Sequence, residues 1–381
     1  MYDMSERLER IRAALAAEKL DGLLVSAPVD DMFGFHDENR EYVSGFTGST
    51  GYALITHEKA VFAADFRYVQ QSERECAPNG FTIFPALKGK SEWFPKFVTA
   101  AGLAGRTIGV SAADMSLREF TAFQKLTADL PEGSRPTFVA APPILETMRR
   151  KKDARELGLL QRAIDIADAA FESVAAQLTP EMTERQASTA FERAVLDNGG
   201  DGISFATIVA AGPWGAMPHA RPRDEPLGRG RPVVFDCGAR FQGYNSDLTR
   251  TIIIGDPDTR FWEIYGIVDE AQRAAIAGIR PGMTGVDAHL LAQEVIARYG
   301  YGDQFGHGLG HGVGLQVHEA PALALSSEDV LEEGMVFTIE PGIYLPGWGG
   351  VRIEDIVVLE HDGARALSHA TKYAPAGAAT T

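Results

Sequence analysis

Apolar positions along this chain change their period several times. Over residues 5–19, Leu8, Ile11 and Leu15 fall at three- and four-residue steps, which predicts an amphipathic helix. Short apolar runs follow in DGLLVS, YALIT, AVFAAD and RTIGVS, with polar or helical segments between them. Such runs read as buried strands, and their alternation with helices predicts an α/β domain. The Pro142-Pro143 pair then punctuates the chain before the charged stretch LETMRRKKDARE. The boundary is therefore placed at residue 148, giving domains 1–148 and 149–381.

The helical period returns in the second domain. Leu157, Leu160, Ile164, Ala167, Phe171 and Val174 form one apolar stripe, the mark of a long helix. A second helix is predicted over about 183–197, strands and Gly-rich loops over 203–254, and helices over about 259–278 and 285–298, with strands after them. This order predicts an α+β domain. It also contains a faint repeat: Pro180, Met182, Thr183 and Ala187 match Pro281, Met283, Thr284 and Ala288 at an offset of 101. At the same offset Asp168, Ala170 and Gly199 match Asp269, Ala271 and Gly300. Either short motifs coincide, or two similar halves face each other across a central sheet, with a site between them.

Composition narrows the classes. A chain of 381 residues suits two domains. The net charge of −16 disfavours nucleic acid and anionic membrane surfaces as partners. The first twenty residues carry acidic groups and no long apolar core, so they read as a helix and not a signal peptide. No apolar run approaches a membrane span. Cys76 and Cys237 lie far apart without metal-ligand spacing, so no disulfide framework is expected. The expectation is a reduced, cytoplasmic protein.

The candidate metal chemistry lies in the last 150 or so residues. Asp236 ends the strand pattern VVFD and Asp247 begins DLTRTIII, with RFQG as a turn. The midpoint of the two acids falls between Phe241 and Gln242, which predicts that they lie nearly opposite on a hairpin. Glu340 and Glu354 repeat the device about Gly347 in LPGWGG. Paired carboxylates push each other toward protonation, and divalent cations relieve that cost. The alternative is strand acids at the surface or in ion pairs with Arg250 and Arg352. His307, His311 and His318 stand in GHGLGHGVGLQVHE, whose glycines let the backbone pass close to a partner. His219 follows a Gly-Pro-Trp-Gly loop and is a candidate proton shuttle or substrate contact. An oxygen-rich set with one histidine favours hard cations such as Mn(II), or Co(II) and Fe(II). Such cations make water nucleophilic at neutral pH, and an adjacent Glu can take its proton.

Together these residues resemble the pita-bread metallopeptidases of the Xaa-Pro branch, aminopeptidase P and prolidase, over nearly the whole chain. HDENREYVSGFTGSTGYALIT with DFRYVQQSE resembles the creatinase-type N-terminal domain of that branch, more as in aminopeptidase P than in short prolidases. The resemblance implies a dinuclear metal site, with Mn(II), Co(II), Zn(II) or Fe(II) as the candidates. Asp236 would chelate one metal, Asp247 and Glu354 would bridge, and His311 and Glu340 would complete the other. Glu340 would also be the general base. His219, His307 and His318 match substrate-binding and proton-handling histidines, and Arg352 matches an arginine behind the ligands. The fold implied is a pita-bread domain with a pseudo-twofold repeat. The activity implied is hydrolysis of the Xaa-Pro bond at the N-terminus of short peptides, by an enzyme built as a homodimer. A prolidase acting on Xaa-Pro dipeptides is the alternative, and relatives acting on small amides or sulfonium metabolites keep the same ligands.

Overall fold

A computed structural model gives the structure of the chain and describes residues 4–26, 38–111 and 115–372. These residues divide between positions 148 and 149 into two compact units. Among them no helix is long and apolar enough to cross a membrane.

The first unit is built on a mixed sheet of β1 (Gly22–Ser26), β2 (Tyr52–Thr56), β3 (Ala60–Ala64), β4 (Thr82–Pro85), β5 (Thr107–Ser111) and β6 (Thr137–Ala141), in the order β4-β3-β2-β1-β5-β6. The four strands expected from the sequence are its inner ones. β4 and β6 are the edges, half exposed, so no unbroken apolar run marks them. The helix Ser5–Ala17 buries Leu8, Ile11 and Leu15 as their spacing predicts. Helices Lys90–Ala100 and Leu117–Leu126 supply an aromatic core in which Phe94 stacks on Phe123 at 4.6 Å.

The second unit is two copies of one plan. In the first, helices Ala154–Ala175 and Glu184–Asp197 precede the antiparallel strands β8 (Ile208–Ala211), β9 (Pro232–Cys237) and β12 (Leu248–Ile253). In the second, helices Thr259–Gly278 and Gly285–Arg298 precede β13 (Gly310–Gly312), β15 (Val336–Ile339) and β18 (Asp355–Glu360). Strand order is the same in both: β12-β9-β8 and β18-β15-β13. Thr183 and Thr284, matched at the repeat offset, each cap a helix through a capping box and each bridge to a later segment, at Pro226 and Val330. Each half also has its own core, one around Phe171, Phe191 and Phe235, the other around Phe261, Val268 and Phe337. The sequence repeat is therefore the pseudo-twofold plan of the pita-bread fold. Short strands complete the unit: β7 (Gly202–Ile203), β10 (Ala239–Phe241), β11 (Tyr244–Asn245), β14 (Glu319–Leu323), β16 (Gly342–Leu345), β17 (Gly349–Arg352) and β19 (Gly363–Ala366).

One expected register needs correction. The first hairpin turns at Gln242-Gly243, whose φ angles of 46° and 84° fit a tight two-residue turn. Its centre lies one position later than the sequence midpoint. Asp236 accordingly pairs with Thr249, and Asp247 stands diagonally across, not opposite. In the second hairpin, Val336↔Val358 through Ile339↔Asp355 continues as Gly342↔Arg352 through Leu345↔Gly349. That register is centred on Gly347 and leaves Glu340 and Glu354 facing each other where the two sheets meet.

Candidate active site

A cleft of about 860 Å³ in the second unit is lined by all nine residues singled out from the sequence: Asp236, Asp247, His311, Glu340, Glu354, His219, His307, His318 and Arg352. The repeat explains how four acids arrive there. Asp236 is near the end of β9 and Glu340 just past β15; Asp247 precedes β12 and Glu354 precedes β18. The two halves thus contribute matching pairs.

His311 is set by its backbone. Gly310 packs so tightly that an added Cβ would lie 1.9 Å from the Thr338 carbonyl, so only glycine permits this approach. With His311 Nδ1–H donating to the Gly312 carbonyl at 3.1 Å, the Nε2 lone pair faces the acids. Nε2 stands 3.3 Å from Glu340 Oε1 and 3.6 Å from Asp247 Oδ2. Ligand atoms of Asp247, His311 and Glu354 lie within 4.8 Å of one another.

Fixed donors orient the acids. Thr249 Oγ1 donates to Glu354 Oε2 at 2.7 Å and accepts from Arg352 Nε at 3.0 Å. Arg352 Nη2 donates to Asp236 Oδ2 at 2.5 Å. Thr338 Oγ1 donates to Glu340 Oε1 at 3.2 Å. What remains is a set of orphaned oxygens: Asp236 Oδ1, Asp247 Oδ1 and Glu354 Oε1 are buried with no hydrogen-bond partner. Buried carboxylate oxygens without donors are costly, and hard cations satisfy such a set. The residues present therefore fit divalent metal ions. Of the two arginines that could have neutralised the acids instead, Arg352 holds Asp236, whereas Arg250 pairs with Asp355 outside the set at 2.7 Å.

The electrostatics agree. Burial raises the carboxyl of Asp236 against the pull of Arg352. Burial raises Asp247 and Glu354 well above the usual range, and the neighbouring acids add to it. Burial would also raise Glu340, but the hydrogen bond and charge of His311 bring it down to about 2. Burial would lower His311, yet Glu340 lifts it to about 9. That ion pair belongs to the metal-free site, because a liganding imidazole must be neutral.

The other histidines flank this set. His307 Nδ1–H donates to the Gly308 carbonyl at 2.7 Å, so its Nε2 accepts from the Tyr344 hydroxyl at 3.0 Å. His318 stacks obliquely on His311 at 4.1 Å. Burial lowers both His307 and His318, which keeps them neutral near pH 7. His219 is exposed and lines the same cleft. Four residues escaped the sequence reading. Thr249, Thr338 and Tyr344 orient the acids and histidines, and Glu319, directly after His318, is clamped by Arg149 and Lys152 at 2.6 Å each. Thr249 and Thr338 each lie two positions from a candidate ligand, Asp247 and Glu340 respectively, which was the available signal.

A cleft with oxygen-rich ligands from two halves of a pita-bread fold defines a metallohydrolase. The chain belongs to metallopeptidase family M24: that family's model matches residues 158–361, and the Creatinase/Prolidase N-terminal domain matches residues 7–151. It is thus a metallopeptidase that uses divalent metal ions on a peptide substrate. An Xaa-Pro dipeptidase of Pyrococcus horikoshii is 36% identical over 366 residues, covering 96% of this chain and 97% of that protein. The solved structure of an Xaa-Pro dipeptidase from Bacillus anthracis is similar with a TM-score of 0.89 and 35% identity, covering 97% of this chain and 99% of that one. The X-Pro aminopeptidase of Thermotoga maritima MSB8 gives a TM-score of 0.86 and 33% identity, covering 96% and 99%.

Proposed function

We propose that this metallopeptidase is a dinuclear exopeptidase that hydrolyses the Xaa-Pro bond at the N-terminus of short peptides. The carrying observation is the cluster of three orphaned carboxylate oxygens beside His311 in one cleft. The relatives that cover nearly the whole chain are named for Xaa-Pro substrates. Asp236, Asp247, His311, Glu340 and Glu354 would hold two cations, Mn(II) first, with Co(II), Zn(II) or Fe(II) as the other candidates. Bound there, the cations would supply Lewis-acid activation of water and of the scissile carbonyl. Glu340 would take the proton from the attacking water. His318 and His219 would donate to the tetrahedral oxygen or to the carbonyl next to proline, and His307 would hold the substrate from the Tyr344 side. Arg352 would fix Asp236 and, through Thr249, Glu354. The same reading includes a homodimer and a reducing cytoplasmic setting, the latter consistent with two buried free cysteines.

Chelator-stripped protein reloaded with Mn(II) should be given matched Xaa-Pro dipeptides and Xaa-Pro-Xaa tripeptides, with products read by mass spectrometry. Cleavage of tripeptides supports an aminopeptidase, and cleavage of dipeptides alone a prolidase. No cleavage of either, with two metals bound per chain, overturns the proposal in favour of a small-metabolite enzyme.

A further inference from the structure

His219 is carried on an arm with little core beneath it. Between β8 and β9 the chain leaves the sheet, and residues 218–222 line the cleft with the acids. Of these five only Ala220 is buried. Local bonds shape the arm instead. Ala220 N–H donates to the Met217 carbonyl at 3.1 Å, closing a β-turn with Pro218 and His219 at its centre. Just past that turn, Trp214 Nε1–H donates to the Arg221 carbonyl at 3.0 Å.

The neck of the arm closes on one carboxylate. Glu184 begins the helix Glu184–Asp197 and is fully buried. Its Oε1 accepts from Ala211 N–H at 3.0 Å and from Arg223 Nη2 at 2.8 Å. Its Oε2 accepts from Arg223 N–H at 2.8 Å and from Arg223 Nε at 3.0 Å. The carboxylate thus ties the residue before the arm to the residue after it. The same guanidinium lies 4.3 Å from the centre of the Trp214 ring. Arg223 therefore joins the buried acid to the indole that holds Arg221, two residues from His219. Four charge-assisted bonds on a desolvated acid make a firm anchor, where an exposed ion pair would contribute little. Neither Glu184 nor Arg223 lines the cleft, so contact with a substrate does not account for the clamp.

We propose that Glu184 and Arg223 are positioning residues for the reaction, holding the arm so that His219 meets the substrate. The proposal rests on reading the site as an exopeptidase centre with His219 as a substrate contact, and the test separates the two. A clamp that served the fold alone would add its effect to that of His219. A clamp that acts through His219 would not.

Metal-loaded wild type, Arg223→Ala, Arg223→Lys, Glu184→Gln, His219→Ala and the double variant Arg223→Ala/His219→Ala should be assayed on Xaa-Pro dipeptides and Xaa-Pro-Xaa tripeptides. Circular dichroism and metal content establish that each is folded and loaded. Arg223 is partly exposed, so Arg223→Ala carries the test if Glu184→Gln does not fold. Arg223→Ala should lower kcat/KM about 10- to 100-fold at unchanged metal content, the cost of a group displaced by an ångström or so. Arg223→Lys should recover part of the loss. In the His219→Ala background the same change should cost at most about 2-fold. Hydrogen exchange over residues 212–222 should quicken in Arg223→Ala and not in His219→Ala. Unchanged activity in Arg223→Ala, additive losses in the double variant, or loss of metal along with activity each overturn the inference while wild-type cleavage keeps the enzyme reading intact. Cleavage of neither substrate by wild type overturns the exopeptidase reading, and the role given to His219 falls with it.

Discussion

The phenol of Tyr344 stands between a fixed charge and a titrating ring. It accepts from Arg352 Nη1 at 2.7 Å and donates to His307 Nε2 at 3.0 Å. Burial pushes its pKa up to about 12, so it stays a donor at any working pH. Tyr344→Phe keeps the ring and removes only the relay, leaving the imidazole without the donor that orients it. Activity should fall about 10- to 100-fold, the usual cost of losing a group that orients the working residues. Metal content, read by atomic absorption, should stay at the wild-type level. If metal is lost together with activity, Tyr344 acts instead through Arg352 on Asp236. The hydroxyl was not legible in FTIEPGIY, because a tyrosine near the end of a strand pattern is more often simple packing. The acids and histidines were legible because their residue types are unusual in Gly-rich and buried-strand settings.

At the scale of elements, β14 begins at a buried ion cluster. Glu319 accepts from Arg149 and Lys152 at 2.6 Å each, and all three side chains are almost wholly out of solvent. Burial would raise Glu319, but Lys152 and Arg149 outweigh it and hold the carboxyl below its usual value. A depressed folded pKa stabilises above the unfolded carboxylate range, and that stability is lost as pH falls through the folded value. Glu319→Gln leaves two buried cations without their partner and should destabilise by about 3–5 kcal/mol at pH 7. In calorimetric melts, the gap to wild type should narrow as pH drops below about 4. A gap that stays constant with pH would mean that shape, not charge, matters there. No local pattern announces this clamp, since Arg149 and Lys152 lie 170 and 167 positions away. The helices predicted over about 183–197 and 285–298, by contrast, were legible to within a residue or two, because Thr183 and Thr284 mark their starts with capping side chains. The first hairpin was misplaced by one position because Gln242 takes a left-handed φ of 46° that its residue type does not advertise.

For the whole catalytic unit, the proposed metal site lies where two similar halves, each with its own core, meet. Asp236 and Asp247 come from one half, His311, Glu340 and Glu354 from the other. Without metal, burial and mutual repulsion raise Asp236, Asp247 and Glu354, so the folded chain binds more protons than the unfolded one. Stability of the stripped protein must then fall as pH rises from the ordinary carboxylate range toward neutrality. Cations remove that penalty and bind more tightly as the competing protons leave. The melting temperature of reloaded protein should therefore exceed that of stripped protein, and the difference should widen between pH 5 and pH 7. Asp247→Asn deletes one of the buried charges: it should raise the stability of the stripped protein at pH 7 while abolishing the gain on reloading. A difference that does not grow with pH would show that the acids are not strained in the absence of metal. So would an Asp247→Asn variant that melts below the stripped wild type.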